Sequence, residues 1–316
     1  MSDKFNSFWR KIFYLLKPLL PRAIQIFLRR QIVIRKRQQY AHCWPISDSS
    51  AKPKNFWPGW PQGKKFAVVL THDVETAFGQ ERCLALAELE SKLGFRSSFN
   101  FVPERYPVQE KIRNQLTQNG FEVGVHGLYH DGKLYQSRKT FMQRAEKINH
   151  YLKAWNAVGF RSPAMHHNLD WLHQLDIIYD ASTFDTDPFE PQSDGVDTIF
   201  PFWVENNGSS RGYVELPYTL VQDFTQFILM REKNNQLWQQ KADWIAEKGG
   251  MILLNTHPDY MYFANGKKTL SEYPVSYYED FLKYLRSKYQ QKFWNAPPGE
   301  IAQFFIESIN KKTSNF

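Results

Sequence analysis

Phe66-Ala67-Val68-Val69-Leu70-Thr71-His72-Asp73-Val74-Glu75 is the stretch whose reading decides the fold. Its first residues form an apolar, β-branched run of strand length, and polar residues begin where the run ends. A strand apolar at successive positions is buried on both faces, as in a parallel sheet covered by helices. The unit recurs downstream. Apolar positions at helical spacing predict a helix over Glu81–Leu93, with Gly94 where a C-cap belongs. Ser97–Val102 reads as strand, Val108–Asn119 as helix closed by Gly120, Phe121–His126 as strand, and Thr140–Trp155 as a long helix. Short strands at Val158–Arg161 and Ile177–Ala181 flank a helix near Leu169–Leu175. Tyr213–Leu220 and Met251–Thr256 follow, with helices near Leu237–Glu247, Tyr277–Tyr289 and Glu300–Asn310. Roughly seven strand–helix repeats suit an α/β barrel better than an open sheet, and in a barrel reactive residues gather at the C-terminal ends of strands.

Upstream, the chain changes character. Residues 1–37 hold ten basic side chains against Asp3 alone, a net of +9; the whole chain carries +8, so the remainder is about −1. A near-neutral body argues against nucleic acid as partner, and a basic tail points to an anionic surface such as a membrane. Phe8, Trp9, Ile12, Phe13 and Leu16, then Ile24, Phe27 and Leu28, recur at near-helical spacing among Lys and Arg. Such a segment suits either an interfacial helix with its cations against lipid headgroups or a helix packed on the body. The apolar run Ile12–Leu16 is too short for a signal core and too short to span a bilayer, so a cytoplasmic chain, peripheral on the inner membrane face through residues 1–40, is expected. Trp44, Pro45, Pro53, Trp57, Pro58, Trp60 and Pro61 punctuate an extended linker. Residues 1–63 thus read as amphipathic segment and linker, and 64–310 as the folded body. Cys43 and Cys83 make no metal-type pair and no disulfide framework, and both read as buried thiols. At 42% hydrophobic and 16% aromatic the chain has the apolar content for a sizeable core, which excludes a disordered chain. The rings serve that core first, although sugar stacking is a second use.

Polar residues do stand at the strand ends. Asp73 and Glu75, at spacing two, fall on one side of an extended chain. They either face a common cavity, where a cation would relieve their repulsion, or form a solvated turn. His126 and His130 meet on one face if their segment turns helically, and with a carboxylate they make the three-ligand set of a catalytic zinc. Arg161 either grips a carboxylate bidentately or is a surface charge. His257, after Met251–Thr256, is either a proton donor titrating near neutrality or a structural histidine.

Together these segments resemble the NodB-type polysaccharide deacetylases, carbohydrate esterase family four, whose members carry five short motifs in fixed order. Thr71–Glu75 is similar to the first, His126–His130 to the second and Arg161-Ser162-Pro163 to the third. Tyr179–Ser182 through Asp187-Pro188 is similar to the fourth, and Leu254-Asn255-Thr256-His257 to the fifth. The resemblance spans roughly residues 64–305. It implies a distorted (β/α)7 barrel, with 64–310 as a deacetylase catalytic domain. It further implies Asp73 as general base, His126 and His130 as metal ligands, Arg161 as the residue orienting the base, and His257 as general acid. The family's usual first motif has adjacent acids; here Val74 intervenes, and Glu75 fits the spacing of a subgroup with spaced acids, as a Glu where that subgroup has Asp. His72, His166 and His167 stand beside the motifs as alternative ligands. Pro163, Asp185 and Asp187 are candidate substrate contacts, with Asp185 or Asp187 as partner of His257. The expected cofactor is a divalent metal, zinc first, and the expected substrate an acetylated sugar or glycan precursor of envelope polysaccharide. A metal-free hydrolase of cyclic amides on the same barrel, or a glycan-binding protein without catalysis, are the alternatives.

Overall fold

The computed structural model of the 316-residue chain describes residues 21–192, 194–206, 212–264 and 268–313. Phe8, Trp9, Ile12, Phe13 and Leu16 of the amphipathic segment lie outside the described residues.

Strand β1 (Phe66–Val74) is buried at all nine positions. It pairs in parallel with β8 (Met251–Thr256) along Ala67–His72 on one edge. On the other edge it pairs first with β11 (Phe293–Asn295), through Phe66–Val68, and then with β2 (Ser97–Phe101), through Leu70–Val74. From β2 the parallel ladder runs to β3 (Glu122–His126), β4 (Gly159–Arg161), β5 (Tyr179–Asp180) and β7 (Gly212–Glu215). Among the described residues only β6 (Phe202–Glu205) is antiparallel, paired with β7; β9 (Met261–Tyr262) and β10 (Tyr273–Pro274) pair in parallel apart from this sheet. Single bridges, Phe184 with Tyr218 and Leu220 with Leu254, bring the far side back to β8 and curl the sheet toward closure. This is the expected α/β barrel, distorted because its last staves are short.

Tyr213–Leu220 is not one strand. β7 stops at Glu215 and pairing resumes only at Tyr218. Pro217 lies between them and has no N–H to donate to a ladder.

The outer layer contains α2 (Ala77–Lys92), α3 (Glu110–Gln118), α4 (Arg138–Ala154), the short α5 (Leu169–Leu172), α6 (Gln236–Lys248), α7 (Ser276–Tyr289) and α8 (Pro298–Thr313). α2 starts a turn earlier than its apolar pattern predicts, because Thr76 caps it by accepting from the Gly79 N–H at 3.3 Å. Ser137 caps α4 by accepting from the Thr140 N–H. Inside, Val68, Leu70, Ile252 and Leu254 pack with Phe99, Phe281 and Leu282 in the main apolar cluster, and full burial of each side chain stabilises the fold by about 1.5–3 kcal/mol. The segment after residue 43 lies on this body: Trp44 and Trp60 are buried, and the Trp60 indole donates to the Gly249 carbonyl at 2.8 Å. Cys83 is buried as expected, whereas Cys43 is only half-buried.

The amphipathic pattern does become a helix, α1 (Arg22–Gln39), which lies against a π-helical turn at Phe224–Leu229. Among the described residues no helix is long and apolar enough to cross a membrane.

Candidate metal centre

Alternation along β1 sorts its polar end. His72 points into the layer between sheet and helices, where Nδ1 meets the Thr256 hydroxyl at 2.7 Å and Nε2 meets Glu90 at 2.8 Å. Asp73 and Glu75 point the other way, toward the rim. His72 is therefore a structural histidine, held by the buried Glu90, which Ser97 and Tyr278 also bond.

At the end of β3, His126 Nδ1 lies 3.1 Å from the Arg161 carbonyl. A carbonyl only accepts, so Nδ1 carries the proton and Nε2 keeps its lone pair for the site. Burial pushes the His126 imidazole down to about 4, so it is neutral at physiological pH, as a ligand must be. His130 reaches the same place without a helix: the chain turns through Gly127 at φ +61° and His130 at φ +55°. A left-handed histidine costs about 1–3 kcal/mol, a strain that collects at working sites. The result is two imidazole centroids 5.1 Å apart, with His130 Nε2 3.0 Å from Glu75 Oε1. Ligand atoms of Glu75, His126 and His130 all lie within 4.8 Å of one another. Two imidazoles and one carboxylate form the donor chemistry of a catalytic zinc, so the residues present fit a divalent ion.

Gly127 has a second reason to be glycine, since a Cβ there would stand 2.5 Å from Pro163 Cγ. We expect Gly127→Ala to lose at least about 1–2 kcal/mol, the ordinary cost of the left-handed conformation alone, in urea unfolding.

Asp73 is buried beside this triad, its Oδ2 3.9 Å from His126 Nε2. Its oxygens accept from Asn100 Nδ2 at 3.0 Å and Asn255 Nδ2 at 2.8 Å. Gly124, the register partner of Asn100 on β3, makes that reach feasible: a Cβ would sit 2.2 Å from the Asn100 Oδ1. Arg161 neither grips the Asp73 carboxylate bidentately nor lies at the surface. Its Nη1 stands 3.9 Å away, within a fully buried guanidinium. Burial alone would raise the Asp73 carboxyl; the charges of His126, Arg161 and His257, with the Asn100 bond, hold it below the usual aspartate range. Glu75 is held well below its range against the same burial, chiefly by His130.

His257 faces the triad from the end of β8, its Nε2 4.0 Å from Glu75 Oε1. Its partner corrects the expectation. Neither Asp185 nor Asp187 reaches it: Asp185 pairs with Lys241, and Asp187 accepts from the Tyr218 hydroxyl at 2.8 Å. Asp223 is the partner, with Oδ1 2.7 Å from Nδ1 and Oδ2 accepting from the His257 N–H at 2.8 Å. Burial would lower the imidazole; Asp223 overrides it and raises His257 to about 10. Asp223 is legible in principle, since it follows the apolar run Tyr213–Leu220 as His257 follows Met251–Thr256. Asn100 gave no such signal, because it sits inside a strand.

Pro163 lines a small pocket beside His130 with Tyr129, Arg144 and His166. His166 and His167 are not among the clustered ligand atoms; the His167 Nδ1 meets the Met165 carbonyl at 2.9 Å.

No family model matches the chain, and neither does any curated protein. Solved structures do. A protein described as a polysaccharide deacetylase from Mycobacterium smegmatis superposes with a TM-score of 0.62 at 17% identity, over 79% of this chain and 93% of that one. Another so described, from Pseudomonas aeruginosa PAO1, gives 0.60 at 14% identity over 80% and 95%. Puue allantoinase gives 0.58 at 15% identity over 80% and 94%. By motif order and by superposition alike, the chain has the fold of the NodB-type polysaccharide deacetylases, a distorted (β/α)7 barrel.

Proposed function

We propose that the chain hydrolyses the acetyl group of an N-acetylated sugar or glycan precursor, as an acetamide or an acetyl ester, with a divalent metal held by Glu75, His126 and His130. The setting proposed is glycan or envelope polysaccharide biosynthesis, and zinc is the proposed metal. One observation carries the reading: the clustered triad lies between a buried carboxylate with no proton of its own, Asp73, and an imidazole that keeps one, His257. The polysaccharide deacetylases of like fold support the substrate class.

When bound, a divalent ion supplies Lewis acidity for the acetyl carbonyl and eases deprotonation of the attacking water. Asp73 receives that proton, its carboxylate aimed by Asn100 and Asn255 and kept ionised by Arg161. The water oxygen bonds to the carbonyl carbon, the carbon–nitrogen bond breaks, and His257 Nε2 gives its proton to the departing amine. Acetate and the free amino sugar are the products. Asp223, bonded to Nδ1, holds His257 in the protonated form and fixes its ring.

Elemental analysis with acetate release from a panel of acetylated sugars tests this. The expected result is one zinc per chain and acetate release that stops on chelation and returns with zinc. A chain active without metal would favour the second reading, hydrolysis of a cyclic amide, for which the likeness to Puue allantoinase speaks.

A further inference from the structure

Helix α1 packs in an unusual sense. Its 18 residues include no acid, and its cations mostly turn inward. Arg30 Nε donates to the Ile228 carbonyl at 2.9 Å and Lys36 Nζ to the Pro188 carbonyl at 2.6 Å. Arg37 pairs with Glu232 at 2.6 Å, and the Arg29 guanidinium lies 4.8 Å over the Phe224 ring. Ile26 and Val33 are buried on that same face. The opposite side exposes large apolar residues, with Gln31, Arg35 and Gln38 among them: Ile24 is 44% exposed, Phe27 57%, Leu28 40%, Ile32 55% and Ile34 48%. These are five of the nine large hydrophobic side chains exposed among the described residues, gathered on one stripe of one helix. Scattered exposed apolar residues are ordinary, whereas a contiguous stripe marks a contact.

We infer that this stripe is a docking surface for an anionic lipid bilayer, into which Phe27, Ile32 and their neighbours insert at headgroup depth. The charge pattern selects that occupant. Helix α1 carries six cations and no acid, and residues 1–37 a net +9, while the rest of the chain is about −1, so anionic lipid is attracted to this part of the chain. A second copy docking through the same stripe would bring two such charges together. Arg35 is exposed on the same side as these apolar residues, where it can meet headgroups, whereas the Arg22 guanidinium lies 5.4 Å over the Phe224 ring. The contact therefore joins the two sequence alternatives: most of the helical cations hold the helix to the body, and its exposed apolar side chains enter the lipid. The surface also neighbours the site's rim. Phe224 lies 4.8 Å from the Tyr260 ring, whose hydroxyl bonds Glu75 at 3.1 Å.

The test uses the full chain and sedimentation with vesicles of equimolar phosphatidylcholine and phosphatidylglycerol, against phosphatidylcholine alone. Binding is the readout, so the outcome does not depend on the catalytic reading. We expect the chain to sediment with the anionic vesicles, and the double variant Phe27→Ser/Ile32→Ser, at two exposed positions, to bind them at least about tenfold more weakly with unchanged thermal unfolding. The inference is overturned if the wild-type chain ignores anionic vesicles, or if the double variant binds them equally, since other residues would then carry the contact. It is also overturned if the wild-type chain is a dimer in solution that fails to bind vesicles and the variant is a monomer, which would assign the stripe to a second copy.

Discussion

An Asp73→Asn chain is expected to fold, to hold zinc at the wild-type stoichiometry, and to lose about 10²–10⁴-fold in kcat, the usual weight of a positioned general base. The substitution keeps the side chain's shape in a site with no room to spare, so the loss reads as chemistry. It leaves one acceptor oxygen where Asn100 and Asn255 now find two. One asparagine then faces an amide it cannot donate to, and a stability loss of about 1–3 kcal/mol follows. Acetate release, metal content and urea unfolding on the same preparation separate the outcomes. Wild-type turnover would remove Asp73 from the base role. Loss of zinc along with turnover would move it into the ligand set, beside His126 at 3.9 Å.

The second large effect concerns a residue outside the five motifs. His257 titrates at about 10 because Asp223 overcomes the burial that would lower it. The sign follows from that shift. The pair's stabilisation is complete below the ordinary imidazole value of 6.5 and disappears as pH rises through about 10. Over that window the acid stays loaded. In Asp223→Asn the anion is gone, burial prevails, and the alkaline limb of kcat should move down toward or below neutrality. At alkaline pH we expect a fall of about 10²-fold or more on an acetamide. A 4-nitrophenyl ester, whose leaving group departs without a proton, should lose far less. Asp223 also accepts from the Phe224 N–H and the Tyr273 hydroxyl, so a merely structural role would depress both substrates at every pH. His257→Gln, which removes the proton altogether, should flatten the alkaline limb.

These residues show how far sequence reading reaches. Residues at strand ends were found because strand burial is written in composition: the run at Phe66–Leu70 admits no solvent, so the polar residues after it must be at a boundary. That rule, with the motif order, led to Asp73, Glu75, His126, His130, Arg161 and His257. It failed where polar residues serve one another inside the barrel. Asn100 lies within Ser97–Phe101, whose polar side chains suggest solvent, yet all five positions are buried. The short strands β6 and β11 escape such a reading too: their aromatic and β-branched residues favour a strand, but four and three residues are too few to show a period.

By itself the sequence determined the parallel, helix-covered sheet and the basic amphipathic pattern of α1, because periodicity and apolar runs are local properties. The six groups at the rim were picked out by the order of the motifs and the family resemblance, since the residues alone left a structural alternative open for each. Only the tertiary structure decided which charged group serves which. Asp223 and His257 are 34 residues apart and meet at 2.7 Å after the Leu220–Leu254 bridge draws the sheet round. Two asparagines from other strands, and not Arg161, bond the Asp73 oxygens, and three of the α1 cations turn inward onto Ile228, Pro188 and Glu232. Pairing is a contest among groups brought close by folding, and its winner is set by distance and burial that no single stretch of chain encodes.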